Sequence, residues 1–148
     1  MPKINLTIEN YLTRVNAQLD KTLPLAEGPA ERLFSAMRYS VLNGGKRLRA
    51  LLCFGAADAV AEANHHTEIA AASVEMIHAY SLIHDDLPSM DDDDLRRGKP
   101  SCHIQFDEAT AILTGDALQA MAFEMLSTAQ DMPPATQLEL IRVLANLS

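Results

Sequence analysis

Apolar residues recur every three or four positions through most of the chain, a period that predicts helices with one buried face. Ile4, Ile8, Tyr11, Leu12, Val15 and Leu19 mark the first, which Pro24 ends. A second starts at Pro29, a favoured first-turn position for proline, carries Leu33, Phe34, Met37, Val41 and Leu42, and stops at Gly44 and Gly45. A third is expected over 46–63. The fourth, 67–87, is apolar nearly all round through Ile69, Val74, Met76, Ile77, Ala79, Tyr80, Leu82 and Ile83, which predicts burial. Its polar exceptions Glu75, His78, Ser81 and Asp85 recur at spacings of three, three and four, so they share one stripe. Such a stripe ending in Asp85 and Asp86 predicts a cavity, and Pro88 predicts a kink or stop beside it. A fifth helix is expected over 106–130, central or at a subunit interface, with Gly115 allowing a neighbour to approach closely. A sixth begins at Pro133-Pro134 and carries Leu138, Ile141, Val143, Leu144 and Leu147. Period-two alternation never persists, so the predicted fold class is all-α.

Composition narrows the possibilities. A chain of 148 residues that is 48% hydrophobic can bury one core, so one domain or part of a domain is expected. The net charge of -8 argues against a nucleic-acid or anionic-membrane surface. The opening M-P-K-I-N-L-T-I-E-N lacks the long apolar core of a signal peptide, and no stretch approaches the ~20 apolar residues of a membrane span, so a cytoplasmic location is expected. Cys53 and Cys102, far apart and without metal-ligand spacing, read as reduced structural thiols.

The candidate chemistry lies in H-D-D-L-P-S-M-D-D-D-D-L-R-R, from His84 to Arg97. Two carboxylates about 4 Å apart repel by roughly 4 kcal/mol at an effective dielectric near 20, so this density calls for a cation. A solvated acidic loop is the competing reading. An EF-hand calcium loop is excluded, because no register of Asp91 to Asp94 supplies both its glycine and its glutamate. No Cys or His set stands nearby, which favours a hard ion, and Mg2+ is held by only one or two carboxylates with phosphate oxygens and waters filling the rest. Arg96 and Arg97 suit those phosphates, since a guanidinium fork matches them bidentately. The segment reads as a magnesium-diphosphate clamp. A second anion site is suggested by Lys46, Arg47 and Arg49 in a first helical turn after two glycines, where cations oppose the helix dipole unless an anion uses both. Its competitor is a basic surface turn behind a glycine cap. His78, seven residues before Asp85, shares that residue's face; singly it reads as a hydrogen-bonded core histidine.

Three segments carry a family resemblance: G-G-K-R-L-R at 44–49, E-M-I-H-A-Y-S-L-I-H-D-D-L-P-S-M-D-D-D-D-L-R-R-G-K-P at 75–100, and L-T-G-D-A-L at 113–118. The chain resembles the trans-polyprenyl diphosphate synthases, most closely the bacterial farnesyl diphosphate synthases. The resemblance implies an all-α prenyltransferase fold around a deep cavity, usually homodimeric, that condenses isopentenyl diphosphate with dimethylallyl or geranyl diphosphate. It implies that Asp85, Asp86 and Asp91 form the first aspartate-rich motif, with Asp85 and Asp91 binding Mg2+. Lys46, Arg49, His78 and Arg97 become isopentenyl diphosphate contacts and Arg96 the allylic diphosphate contact. Tyr80, five residues before Asp85, becomes the aromatic that closes the pocket floor and limits product length, with ordinary core packing as its alternative. Family members are roughly twice as long and carry a second aspartate-rich motif, so residues 1–148 are expected to form the N-terminal half of a polyprenyl synthetase domain. Two other functions compete. A terpene cyclase also uses an aspartate-rich clamp but needs no isopentenyl site, and a non-catalytic fragment or subunit would bind magnesium-diphosphate, or act with a partner, without turnover.

Overall fold

The computed structural model describes residues 2–147, and side chains over 7–147. Seven α-helices occur among the described residues: α1 Pro2–Thr22, α2 Glu31–Leu42, α3 Leu48–Asp58, α4 His65–Asp85, α5 Cys102–Gln105, α6 Glu108–Ser127 and α7 Pro134–Leu147. The all-α expectation stands, with one addition. A two-stranded antiparallel hairpin, β1 Leu95–Arg96 and β2 Lys99–Pro100, follows the aspartate run. The strands are too short for any alternation to announce them; the signal is their turn. Arg97 (φ 55°) and Gly98 (φ 77°) are both left-handed, the conformation that a two-residue hairpin loop needs.

The helices begin and end for local reasons. Asn64 caps α4 by accepting from the amides of His66 and Thr67, while its own amide donates to Thr67 Oγ1. Asp107 caps α6 by accepting from Thr110 N–H at 2.7 Å, and also takes Arg32; together these bonds hold its carboxyl down to about 2. The expected helix over 46–63 is shorter at both ends, because Arg47 is left-handed at φ 49° and cannot join it and because α3 stops at Asp58. A 3₁₀ turn at Gly28–Ala30 precedes α2, and the region after Ser101 divides into α5 and α6.

The core lies around α4, whose Ile69, Ala71, Ala72, Met76, Ile77 and Ile83 are buried between α1, α2, α3 and α6. Val15 and Leu19 of α1, with Leu23 just after it, seal one side; Ile8 of the predicted stripe is exposed, and Ile4 lies outside the described side chains. α6 packs against α2, α4, α5 and α7, so its predicted central position holds. Small residues permit this, and Gly115 marks the closest approach: a Cβ there would fall on the His84 imidazole. That ring is fixed by a 3.1 Å contact from Nε2 to the Ile112 carbonyl and meets Tyr80 edge-on, with centroids 5.0 Å apart. Gly115→Ala would gain about 1 kcal/mol of helix propensity, but displacing so constrained a ring costs about 1–3 kcal/mol. The expected outcome in urea denaturation is a net loss of stability, partly relieved by adding His84→Ala; a gain would mean the ring moves freely.

Candidate functional site

Charge placement in the site follows from one inward-turned arginine. Gly44 (φ 85°), Gly45 (φ 118°) and left-handed Arg47 form a tight turn between α2 and α3 that L side chains rarely tolerate. The turn drives Arg47 into the core, where Nε reaches Asn16 Oδ1 at 3.0 Å, Nη1 reaches Glu75 Oε2 at 3.3 Å and Nη2 reaches the Val41 carbonyl at 2.7 Å. Glu75 also accepts from the Ala50 amide at 3.1 Å, capping α3 with a carboxylate. Arg47 therefore does not belong to the surface basic cluster that sequence spacing suggested: its side chain is 5% exposed and already paired. Its neighbours Lys46 and Arg49 face outward, with no ion pair among the described residues.

The hairpin brings the second basic set to the first. Adjacent residues of an extended turn point in opposite directions, and Arg96 and Arg97 separate accordingly. Arg97 Nη1 donates to the Gly44 carbonyl, and its guanidinium occupies the space where a Cβ of Gly45 would lie. Arg96 turns the other way, onto Asp86 and Asp93. The hairpin is anchored from α2 by Tyr39, whose hydroxyl donates to the Pro100 carbonyl at 2.8 Å, and by Lys99 on Asn43.

Three cavities converge on His78. A small one of about 40 Å³ has Glu75, Arg47, His78, Asp86, Arg96 and Arg97 in a wall that also includes Leu82 and Ile83. A wider basic one of about 570 Å³ has Lys46, Arg49, His78 and Arg97 in its wall. A third, of about 520 Å³, is mainly apolar and runs from Arg49 and His78 past Ile77 and Tyr80 to Leu140, Leu144 and Leu147 of α7. Of the predicted polar stripe of α4, Glu75, His78 and Ser81 line these cavities, whereas Asp85 lines none of the three and the buried Asp86 takes its place; Glu75 is consumed by Arg47, and Ser81 donates back to the His78 carbonyl at 3.0 Å. Burial lowers the pKa of His78, and the nearby Arg49, Arg97 and Arg47 lower it further against the opposing pull of Glu75.

Pro88 ends α4 at the acids as expected, and the chain folds back on them. The Asp91 amide donates to the Asp85 carbonyl at 2.8 Å and the Asp93 amide to the Asp86 carbonyl at 3.2 Å, with Asp92 left-handed at φ 56°. Asp85 is half-buried, Asp86 buried, and Asp91 exposed. Among the described residues no three His, Cys, Asp or Glu side chains form a closed cage for a metal. Asp85 and Asp91, whose backbones are joined by the first of those bonds, offer the oxygen donors that Mg2+ takes, an ion held by one or two protein carboxylates with water and phosphate in the rest of its shell. Tyr80 is half-buried against the core and also lines the apolar cavity.

Residues 30–148 match the polyprenyl synthetase family. The chain belongs to that family. Over 138 residues it is 49% identical to a farnesyl diphosphate synthase of Haemophilus influenzae, covering 93% of this chain and 47% of that protein. It is likewise 49% identical over 126 residues to the Escherichia coli farnesyl diphosphate synthase, covering 85% and 41% of the two. Among solved structures, an FPP/GFPP synthase from Zymomonas mobilis superposes with a TM-score of 0.93 at 44% identity, over 99% of this chain and 53% of that one. This member of the polyprenyl synthetase family therefore spans about half the length of the relatives it matches.

Two outcomes are expected of the site. Removing Glu75 strands a buried guanidinium, so Glu75→Ala should cost about 3 kcal/mol in denaturant unfolding; a loss below about 1 kcal/mol would show that water reaches Arg47. For His78, whose folded pKa lies below its ordinary 6.5, the unfolded chain binds the proton more readily. Its contribution to stability is complete above pH 6.5 and is lost as pH falls through the lowered folded value. An NMR titration of the ring should find a midpoint under 6.5, moving upward when inorganic diphosphate is added to offset the arginines; a midpoint indifferent to diphosphate would place the anion elsewhere.

Proposed function

We propose that this chain forms the N-terminal half of a prenyltransferase that joins isopentenyl diphosphate to an allylic diphosphate, dimethylallyl or geranyl, with farnesyl diphosphate as the product. The observation that carries the reading is the convergence of Arg97 on the Gly44-Gly45 turn, which gathers Lys46, Arg49, His78 and Arg97 around one basic cavity a few residues from the acids. The identity to farnesyl diphosphate synthases supports the product.

In this reading Lys46, Arg49, neutral His78 and Arg97 bind the isopentenyl diphosphate, a cluster of donors whose one lining acid, Glu75, is already paired with Arg47. Asp85 and Asp91 hold Mg2+, which when bound supplies Lewis-acid stabilisation to the departing diphosphate. Arg96 binds the allylic diphosphate and stabilises the charge that develops as its C–O bond breaks. The isopentenyl double bond then attacks the allylic cation, and the proton lost afterwards goes to the released diphosphate. The apolar cavity holds the hydrocarbon tail away from water, and Tyr80 sets its depth. No described helix is long and apolar enough to cross a membrane; we place the protein in the cytoplasm, as part of a homodimer.

The half-length coverage supports a second reading, in which the chain binds magnesium-diphosphate but turns over only with a complementary polypeptide. Calorimetric titration of the chain with Mg2+ and isopentenyl diphosphate separates these from a cyclase. Binding that Lys46→Ala and Arg49→Ala each weaken about tenfold supports the isopentenyl site, and unaffected binding removes it. Condensation of geranyl with isopentenyl diphosphate by the 148-residue chain alone is expected to be negligible and to appear when the remaining half of such a synthase is added; substantial turnover by the chain alone would refute the half-domain assignment.

A further inference from the structure

Asp86 sits in the aspartate run directly after Asp85, yet its carboxylate is committed elsewhere. The side chain is 3% exposed, and one edge of Arg96 occupies both oxygens: Nε donates to Oδ2 at 3.1 Å and Nη2 to Oδ1. Nη2 also reaches Asp93 Oδ2 at 3.2 Å, while Nη1, the remaining corner of the guanidinium, has no partner among the described residues. A planar fork held along one edge cannot rotate without breaking both bonds. The grip also raises the pKa of Arg96, chiefly through the hydrogen bonds to Asp86. Both residues line the small cavity together with His78 and Arg97.

We infer that Asp86 is a positioning residue and not a magnesium ligand: it fixes Arg96 by the Nε and Nη2 edge, so that the free corner is held ready for a diphosphate. The proposal rests on the diphosphate reading above. It divides the aspartates by task, with the partly exposed Asp85 and exposed Asp91 left for the cation and the buried Asp86 acting only through an arginine. The alternative is that Asp86 merely neutralises a half-buried cation, in which case holding that fork still contributes nothing to binding.

Charge makes the two alternatives differ in sign. Deleting a carboxylate beside an anion site should by itself tighten anion binding, whereas loss of positioning weakens it. In the 148-residue chain, Mn2+ affinity read by electron paramagnetic resonance and inorganic diphosphate affinity read by calorimetry are compared among wild type, Asp85→Asn and Asp86→Asn. The expected result for Asp86→Asn is Mn2+ affinity within about twofold of wild type and diphosphate affinity down about tenfold, with Asp85→Asn showing the metal loss instead. In an Arg96→Gln background, adding Asp86→Asn should weaken diphosphate no further, since the aspartate then has nothing to hold. Melting curves check each variant, and Asp86→Glu, which keeps the charge but displaces the fork, replaces Asp86→Asn if that variant does not fold, with the same loss expected. Diphosphate affinity that is unchanged or stronger, or metal affinity that falls as far as in Asp85→Asn, overturns the assignment while leaving the proposed function standing. Wild-type chain that binds no diphosphate overturns both.

Discussion

A guanidinium taken out of water at position 47 is the constraint from which the site's layout descends. Its partners come from three different helices: Asn16 of α1, the Val41 carbonyl of α2 and Glu75 of α4. Desolvation disfavours the charge, and only full hydrogen bonding makes it tolerable there. Such a pair adds little stability over an apolar filling of the same shape. What it does specify is geometry, because the fork is satisfied only with α1, α2 and α4 in their observed places. Its left-handed backbone then leaves Lys46 and Arg49 on the outer surface of the turn.

The same economy of backbone directs the second pair of arginines. Between Asp94 and Ser101 the chain closes on itself through the Ser101 amide and the Asp94 carbonyl, 2.9 Å apart, with the Arg97-Gly98 turn at its tip. Neighbouring arginines are thereby sent to opposite targets, one to the acids and one to the glycine turn. The arginine-glycine sequence performs this separation only because Gly98 accepts positive φ and because Gly45 has no Cβ to obstruct the incoming guanidinium. A side chain at either position would oppose the geometry that joins the two charged segments.

Much of this was legible beforehand, and the exceptions share a cause. The long helices follow from apolar periodicity, the stop at Asp85 from Pro88, and the tight contact at Gly115 from a glycine inside an otherwise strong helix. Local spacing cannot show which of several neighbouring charges turns inward, since that depends on partners far along the chain. Arg47 therefore read as a surface cation, and its pairing with Glu75, 28 residues away, went unseen. The hairpin escaped for a different reason: two residues per strand leave no alternation to detect, and only the Arg97-Gly98 dipeptide carried the signal. The helix expected from 46 begins at Leu48 because a left-handed residue is invisible to helix propensity.

Net charge describes this chain poorly at the scale where binding happens. An overall -8 would repel an anion, yet at His78, whose pKa burial lowers most, Arg49, Arg97 and Arg47 lower it further against the pull of Glu75. Screening reconciles the two, since exposed charges more than about 8–10 Å away are largely hidden by salt while partly buried neighbours are not. Across the short span from the glycine turn to the end of α4 the sign reverses, from Lys46, Arg49 and Arg97 to Asp85 and Asp91. A diphosphate with a divalent cation on one side is complementary to that reversal, whereas either ion alone would satisfy only half of it. A uniformly basic groove would hold anions less selectively. The contrast between the glycine turn and the acids at and beyond the end of α4 is thus the feature on which the proposed diphosphate reading rests.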